Sequence, residues 1–236
     1  QVSVKRQSDF VTEVDRAAEA SIIDTIREAY PHHAILAEES GESGESDYQW
    51  IIDPLDGTTN FIHGFPQYAV SIAMAHKGVL SHAVVYDPTR NELFTASKGA
   101  GAFLNDKRIR VSRRQKLEEA LIGTGFPYRS FDQIDTYLAI FRDLTQKTSG
   151  LRRPGAASLD LSYVACGRLD GFWEFGLSPW DMAAGALLIT EAGGLISDLS
   201  GEPNYMNTGN VIAGTPKVFS PLLQAIGQHL KGSFKA

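Results

Sequence analysis

The sequence predicts a mixed fold of two regions, an α+β region over 1–118 and an α/β region over 119–236, joined as one compact unit. Strand-like runs separated by short turns fill residues 68–111, where helical patterning is sparse, and such spacing reads as an antiparallel meander. Beyond Leu121 apolar strands alternate with helical repeats, which indicates an α/β layer. A chain of 236 residues is near the upper size for a single hydrophobic core, so two intimate regions are expected rather than separate domains.

Composition narrows the class. With 43% hydrophobic and 21% charged residues the chain has the balance of a soluble globular protein. No apolar run approaches the ~20 residues of a membrane span, so no membrane association is expected. A net charge of −6 argues against non-specific binding to nucleic acid, and no direct nucleic-acid contact is predicted. The one cysteine, Cys166, has no histidine near it in sequence and reads as a small core residue, in keeping with a reducing cytoplasm. No signal peptide is visible, and because the sequence opens on Gln1 rather than Met, an N-terminal segment is expected ahead of it.

In chain order, Thr12-Glu13-Val14-Asp15 has the form of a capping box with Asp at its fourth position. Val14, Ala18, Ile22, Ile26 and Ala29 then recur at helical spacing, with Arg16, Glu19, Asp24 and Arg27 on other faces, until Pro31 stops the helix. His33–Ala37 is a short strand running into Glu38-Glu39, and 41–47 reads as a mobile polar loop. Trp50-Ile51-Ile52 is a buried strand, followed by strands over Tyr68–Ala75, Leu80–Asp87, Glu92–Ser97 and Ala102–Val111. The second region begins with a strand at Leu121–Gly125. A helix over Gln133–Lys147 follows, with Ile134, Tyr137, Leu138, Phe141 and Leu144 inward. Ala156–Arg168 is a helix and Gly171–Phe175 a strand carrying Glu174. Pro179-Trp180-Asp181 opens a helix stopped by Gly193-Gly194, strands follow at Leu195–Leu199 and Val211–Ala213, and Pro216–Leu230 is the last helix.

The chemistry concentrates after Ile52, in Asp53-Pro54-Leu55-Asp56-Gly57-Thr58-Thr59-Asn60. Two carboxylates three residues apart leave the end of a strand on a tight turn. Pro54 holds Asp53 extended, and Leu55 between the acids offers only its carbonyl. Gly57 permits a sharp turn and close approach of a ligand, and Thr58-Thr59-Asn60 can open a helix whose free N–H groups suit phosphate. Hard oxygen ligands beside an anion nest describe a magnesium-dependent phosphoryl site. Alone, the motif reads more readily as a solvated turn than as a site. What favours a site is that four segments each end in an acid: Asp15, Glu38, Asp53 with Asp56, and Asp181. Clustered acids raise one another's pKa, and divalent cations relieve that; two held ~3.5–4 Å apart clamp both oxygens of an in-line displacement.

These strings, together with Glu38-Glu39-Ser40, Trp180-Asp181-Met182-Ala183-Ala184-Gly185 and Glu191-Ala192-Gly193-Gly194, resemble the signatures of the inositol monophosphatase family, in order and at its usual spacing. The similarity covers essentially the whole chain, and the bacterial SuhB-type members also share Gly123-Thr124-Gly125-Phe126-Pro127 and Asn204-Tyr205-Met206. The resemblance implies a layered α-β-α-β-α sandwich, cytoplasmic and usually homodimeric, that hydrolyses inositol 1-phosphate and related polyol phosphates with two or three Mg2+ ions and is inhibited by lithium. It implies one ion on Glu38, Asp53 and the Leu55 carbonyl, a second on Asp53, Asp56 and Asp181, and a weaker third near Glu38. Asp15 and Thr58 are implied as the pair that orients and activates the attacking water, with Gly57 and Thr58 N–H groups receiving phosphate. Gly155, Ala156, Ala157 and Glu174 are implied as polyol contacts, and Asp181 as standing beside the ester oxygen. Members normally carry roughly one more helix ahead of the point where this sequence opens. Relatives acting on fructose 1,6-bisphosphate, NADP or 3′-phosphoadenosine nucleotides are the alternatives within catalysis. Arg152-Arg153 has no catalytic role and reads as a surface pair, a dimer contact or a docking site, since SuhB-type proteins are associated with ribosomal RNA transcription antitermination alongside a Nus factor. His63 reads as a packing or surface residue.

Overall fold

The computed structural model describes residues 2–6, 9–127 and 131–230, with side chains over 13–127 and 132–230. An N-terminal hairpin, β1 (Val2–Arg6) with β2 (Asp9–Thr12), leads into α1 (Glu13–Ala29). Then come β3 (Ala34–Ala37), β4 (Gly41–Ser43), β5 (Tyr48–Asp56), α2 (Thr58–Ile62), β6 (Ala69–His76), β7 (Val79–Asp87), β8 (Glu92–Ser97), β9 (Gly101–Leu104) and β10 (Lys107–Ile109). These strands form an eight-stranded sheet in the order β10-β9-β8-β7-β6-β5-β3-β4. Only β3 and β5 run parallel in it, and β5 to β10 are the expected antiparallel meander. Its hairpins turn on residues with positive φ, Lys77, Asn91, Asn105 and Asp106.

The second sheet uses β11 (Leu121–Thr124), β12 (Gly150–Arg152), β13 (Gly171–Glu174), β14 (Leu195–Ser197) and β15 (Val211–Gly214), in the order β12-β11-β13-β15-β14. Between and after these strands lie α3 (Ile134–Lys147), α4 (Ala157–Ala165), α5 (Pro179–Glu191), α6 (Tyr205–Thr208) and α7 (Pro216–Gly227). The sheet is mixed: β11 is parallel to β12 and β13, whereas β15 is antiparallel to both of its neighbours.

The layering follows from which face each residue takes. Successive strand residues point to opposite faces. Accordingly Ile51 joins the central core with α4 and α5, while Ile52 packs with Ile26 of α1 on the outer face. In the smaller sheet Phe172 faces the central core and Trp173 faces α3 and α7. The helices α4 and α5 are buried on nearly all sides because they are enclosed between the two sheets. The result is the five-layer α-β-α-β-α sandwich.

Several expectations need correction. The stretch expected as a mobile loop, 41–47, begins with β4, which pairs antiparallel with β3. The single strand expected over Ala102–Val111 is two, β9 and β10, because Asn105 and Asp106 reverse the chain. Strand β5 does not end at Ile52 but continues through Asp56, its pairing with β6 interrupted by a bulge between Asp53 and Asp56, where Pro54 has no N–H to donate. On α1, Val14 is exposed, and Asp15, Glu19 and Ile26 are the buried residues. On α3, Leu138 is exposed and Ile140 takes its inward place. The capping box depended on the Thr12 side chain, which lies outside the described residues.

Candidate active site

The site lies where the carboxyl ends of β3 and β5 meet the first turns of α1 and α5. The bulge in β5 puts Asp53 and Asp56 on the same side of the strand end. In α5, Pro179 occupies the first turn, and the Ser178 N–H donates to Asp181 Oδ2 at 2.7 Å, which fixes that carboxylate. Ser71 Oγ of β6 donates to the Trp180 carbonyl at 3.3 Å and ties this helix start to the sheet. Asp53, Asp56 and Asp181 consequently converge: each offers a carboxylate oxygen within 4.8 Å of the others, and all three are buried.

The electrostatics of this cluster are those of acids pressed together out of water. Burial, then the charges of Glu38, Asp56 and Asp181, push Asp53 well above the ordinary carboxylate range, and a hydrogen bond to Glu38 adds to this. Asp56 is pushed up to about 7 by burial and by Asp181, against the opposing pull of Ser158. A compact set of buried carboxylate oxygens is a donor set that hard divalent cations take. The Leu55 carbonyl is in the turn, and the Leu55 N–H donates to Asp53 Oδ1 at 3.0 Å.

Thr58 sits between two acceptors. Its Oγ1 is 3.1 Å from Asp15 Oδ1 and 3.0 Å from the Leu55 carbonyl, and one hydroxyl proton serves only one of them at a time. Asp15 itself is fully buried, in the first turn of α1. Gly57 holds φ 88° and ψ 34°, the left-handed conformation, directly before α2. A Cβ there would lie 2.8 Å from the Gln67 carbonyl and 3.2 Å from the Ala156 Cβ, so both the turn and the packing require glycine.

The segment Gly155-Ala156-Ala157 lies against this turn. Asn60 Nδ2 donates to the carbonyls of Gln67 at 2.8 Å, Pro154 at 3.0 Å and Gly155 at 3.3 Å, joining the motif to a segment some 94 residues on. Glu174, at the end of β13, is not in the three-acid cluster. Its carboxylate lies across Gly125, where a Cβ would collide with it. Asp160 of α4 is buried, and burial followed by the charges of Glu174 and Asp56 holds its carboxyl well above the usual range.

Three contributors escaped the sequence reading. Glu19 is buried and accepts the N–H groups of Glu39 and Ser40, each at 2.8 Å, thereby holding the turn that carries Glu38. Ser158 donates to Asp56 Oδ2 from its N–H at 2.7 Å and its Oγ at 2.5 Å. Asp160 is the third. Ser158 adjoins Ala157, but nothing local marks its pairing with an acid 102 residues away. His63 is exposed, and Cys166 is a free, half-buried thiol whose pKa burial raises, as expected of an inert residue. Arg152 is exposed on edge strand β12, and the Arg153 guanidinium lies 4.7 Å over the Phe126 ring.

Known proteins resemble this chain in sequence and fold. The Nus factor SuhB of Pseudomonas aeruginosa is 60% identical over 99% of this chain and 89% of its own length. The crystal structure of the extragenic suppressor protein suhB from Bartonella henselae superposes with a TM-score of 0.94 at 46% identity, covering 98% of this chain and 89% of that one. A structure described as an IMPase/NADP phosphatase complexed with Mg2+ and phosphate superposes with a TM-score of 0.85 at 26% identity, covering 95% and 85%. The profile of the inositol monophosphatase family matches residues 1–231, taking in every acid of the cluster, and the chain belongs to that family.

Proposed function

We propose that the protein is a Mg2+-dependent phosphomonoesterase that hydrolyses inositol 1-phosphate and related polyol phosphates to the alcohol and phosphate. One observation carries the reading: three buried carboxylates within 4.8 Å of one another, with Glu38 pressing on Asp53. Glu38, Asp53, Asp56, Asp181 and the Leu55 carbonyl would hold two or three Mg2+ ions. When bound, such ions supply Lewis-acid stabilisation of the phosphoryl and leaving oxygens. Asp15 keeps the Thr58 hydroxyl oriented, so that Thr58 can accept a proton from the attacking water as its own passes to Asp15. The N–H groups of Gly57 and Thr58 face the phosphate, and little more than positioning is then needed for phosphoryl transfer. Glu174, Gly155, Ala156 and Ala157 take the polyol hydroxyls. Regions 1–118 and 119–236 act as one unit, since the site draws on both. No helix among the described residues is long and apolar enough to cross a membrane. Work in the cytoplasm and a homodimer are what membership of the family implies.

The test is phosphate release under Mg2+ titration across inositol, fructose and nucleotide phosphates. Inositol 1-phosphate should be preferred, and Asp53→Asn should abolish turnover together with Mg2+-dependent stabilisation; normal hydrolysis by that variant would refute the assignment. A second reading is favoured by the Pseudomonas aeruginosa relative, whose name is Nus factor SuhB. On that reading the chain also joins a transcription complex through a Nus-factor partner, and Asp53→Asn would keep that binding in a pull-down.

A further inference from the structure

Each of the three clustered acids has one carboxylate oxygen taken by a donor of the protein itself. Asp53 Oδ1 accepts the Leu55 N–H at 3.0 Å, and Asp181 Oδ2 accepts the Ser178 N–H at 2.7 Å. Asp56 Oδ2 accepts twice from Ser158, from the N–H at 2.7 Å and from Oγ at 2.5 Å, while its Oδ1 makes no hydrogen bond among the described residues. Of these donors only Ser158 Oγ belongs to a side chain. It is itself firmly placed. Ser158 is fully buried near the start of α4, and the Ser162 hydroxyl donates to its carbonyl at 2.7 Å. Helix α4 lies so close on α5 that a Cβ at Gly185 would be 2.5 Å from the Leu161 Cβ, and α5 is the helix that opens on Asp181. Asp56 and Asp181 are thus latched to two helices in tight contact. A carboxylate on the first N–H groups of α4 also caps that helix, but the Ser158 N–H suffices for a cap. The hydroxyl adds a second donor to the same oxygen and none to Oδ1.

A carboxylate can meet a cation through one oxygen or chelate it with both. Ca2+ takes ~6–8 oxygens and accepts either mode, whereas Mg2+ requires a near-octahedral shell, which the narrow bite of a chelating carboxylate distorts. Resting on the reading of the cluster as a Mg2+ site, we propose that Ser158 is a specificity-determining residue for the metal: by occupying Asp56 Oδ2 it leaves Oδ1 as the single ligating oxygen and so favours Mg2+ over Ca2+. Ser158 acts through Asp56, as a positioning residue. Without its hydroxyl one N–H remains on Oδ2, and the carboxylate is freer to turn and offer both oxygens. Mg2+ then loses a pre-set ligand, while Ca2+ gains the option of a second contact.

The test is the melting temperature of the full chain, titrated from the EDTA-treated state with Mg2+ and separately with Ca2+, which reads ion binding without turnover. In the parent, Mg2+ should stabilise at lower concentration than Ca2+. Ser158→Ala should raise the Mg2+ concentration for half-maximal stabilisation about tenfold and leave that for Ca2+ nearly unchanged, so that the preference falls by almost the same factor. Ser162→Ala removes a hydroxyl one turn along the same helix that does not touch Asp56. It should lower the melting temperature in EDTA with both ion requirements unchanged, and a merely structural Ser158 would behave in the same way. The assignment is overturned if Ser158→Ala keeps the parent's Mg2+ requirement, if it weakens the two ions equally, or if Ser162→Ala shifts the preference as much. A parent that neither ion stabilises would overturn the Mg2+ reading and the role of Ser158 together, whereas the other three outcomes leave that reading standing.

Discussion

Glu19 shows how one side chain outside the acid cluster sets its geometry. Buried on α1 one turn beyond Asp15, its carboxylate receives the Glu39 and Ser40 N–H groups, so the turn that presents Glu38 is anchored from below. Removing the carboxylate leaves two part-buried donors unsatisfied, at a cost of roughly 1–3 kcal/mol, and releases Glu38 from its place against Asp53. Glu19→Ala should therefore lower Mg2+-dependent phosphate release about tenfold or more and raise the Mg2+ concentration needed for half-maximal rate. Glu19→Gln, which keeps an acceptor oxygen, should recover much of both. A role confined to stability would lower the melting temperature but leave the Mg2+ requirement where it was. The acids of the cluster were legible in the sequence because each stands at a strand end or helix start beside a turn residue. Glu19 was not, because helical spacing assigns faces by hydrophobicity, and an acid turned inward by a hydrogen bond looks like an outward one. The exposed Val14 is the same misreading in reverse.

At the scale of elements, the junction of β5 with α2 decides whether the parts meet. The long strands of the meander were legible because their apolar residues are bounded by clear turns. Strands β4 and β12 were not, being three residues long, polar or edge-placed, and formed only because β3 and β11 present unpaired backbone to them. The bulge in β5 was half-visible: Pro54 announces a break in the ladder, but not that the strand resumes to carry Asp56. Gly57 then turns the chain in the left-handed conformation against Gln67 and Ala156, which brings the α4 segment onto the motif. In Gly57→Ala the strained φ would cost ~1–3 kcal/mol. The new Cβ, 2.8 Å from the Gln67 carbonyl, would also force β6 or the Gly155 segment away. The variant should melt several degrees lower, at ~2–4 °C per kcal/mol for a chain of this size, and lose most phosphate release even at saturating Mg2+. Full activity with a lowered melting temperature would mean that the turn serves folding alone.

For the molecule as a whole, the acid cluster makes stability depend on pH in a direction opposite to that of ordinary ion pairs. In the unfolded chain Asp56 loses its proton near 3.8, whereas in the folded, metal-free protein it keeps it to about 7. Asp53 is raised in the same sense, by burial and by Glu38, and so is Asp160, by burial and by Glu174. Between those limits the folded state binds more protons than the unfolded one. Its stability is therefore fullest below about 4 as far as these groups are concerned, and falls as pH rises, by up to ~1.4 kcal/mol per pH unit per group. Asp87 and Asp143 do not mask the trend. Both are partly desolvated, yet hydrogen bonds from Thr89 and Arg90, and from Lys147 and His229, hold them below the ordinary range, so their contribution is lost only at more acid pH. Divalent cations need the ionised carboxylates, so their binding strengthens as pH rises. In EDTA the melting temperature should consequently fall from pH 5 to pH 8, saturating Mg2+ should flatten or reverse the fall, and the gap between the two curves should widen steadily. Asp56→Asn should shallow the slope in EDTA, because it removes one of the groups that produce it. A melting temperature in EDTA that climbs toward pH 8, or a gap that stays constant across the range, would mean that the buried acids are balanced by something other than a bound cation.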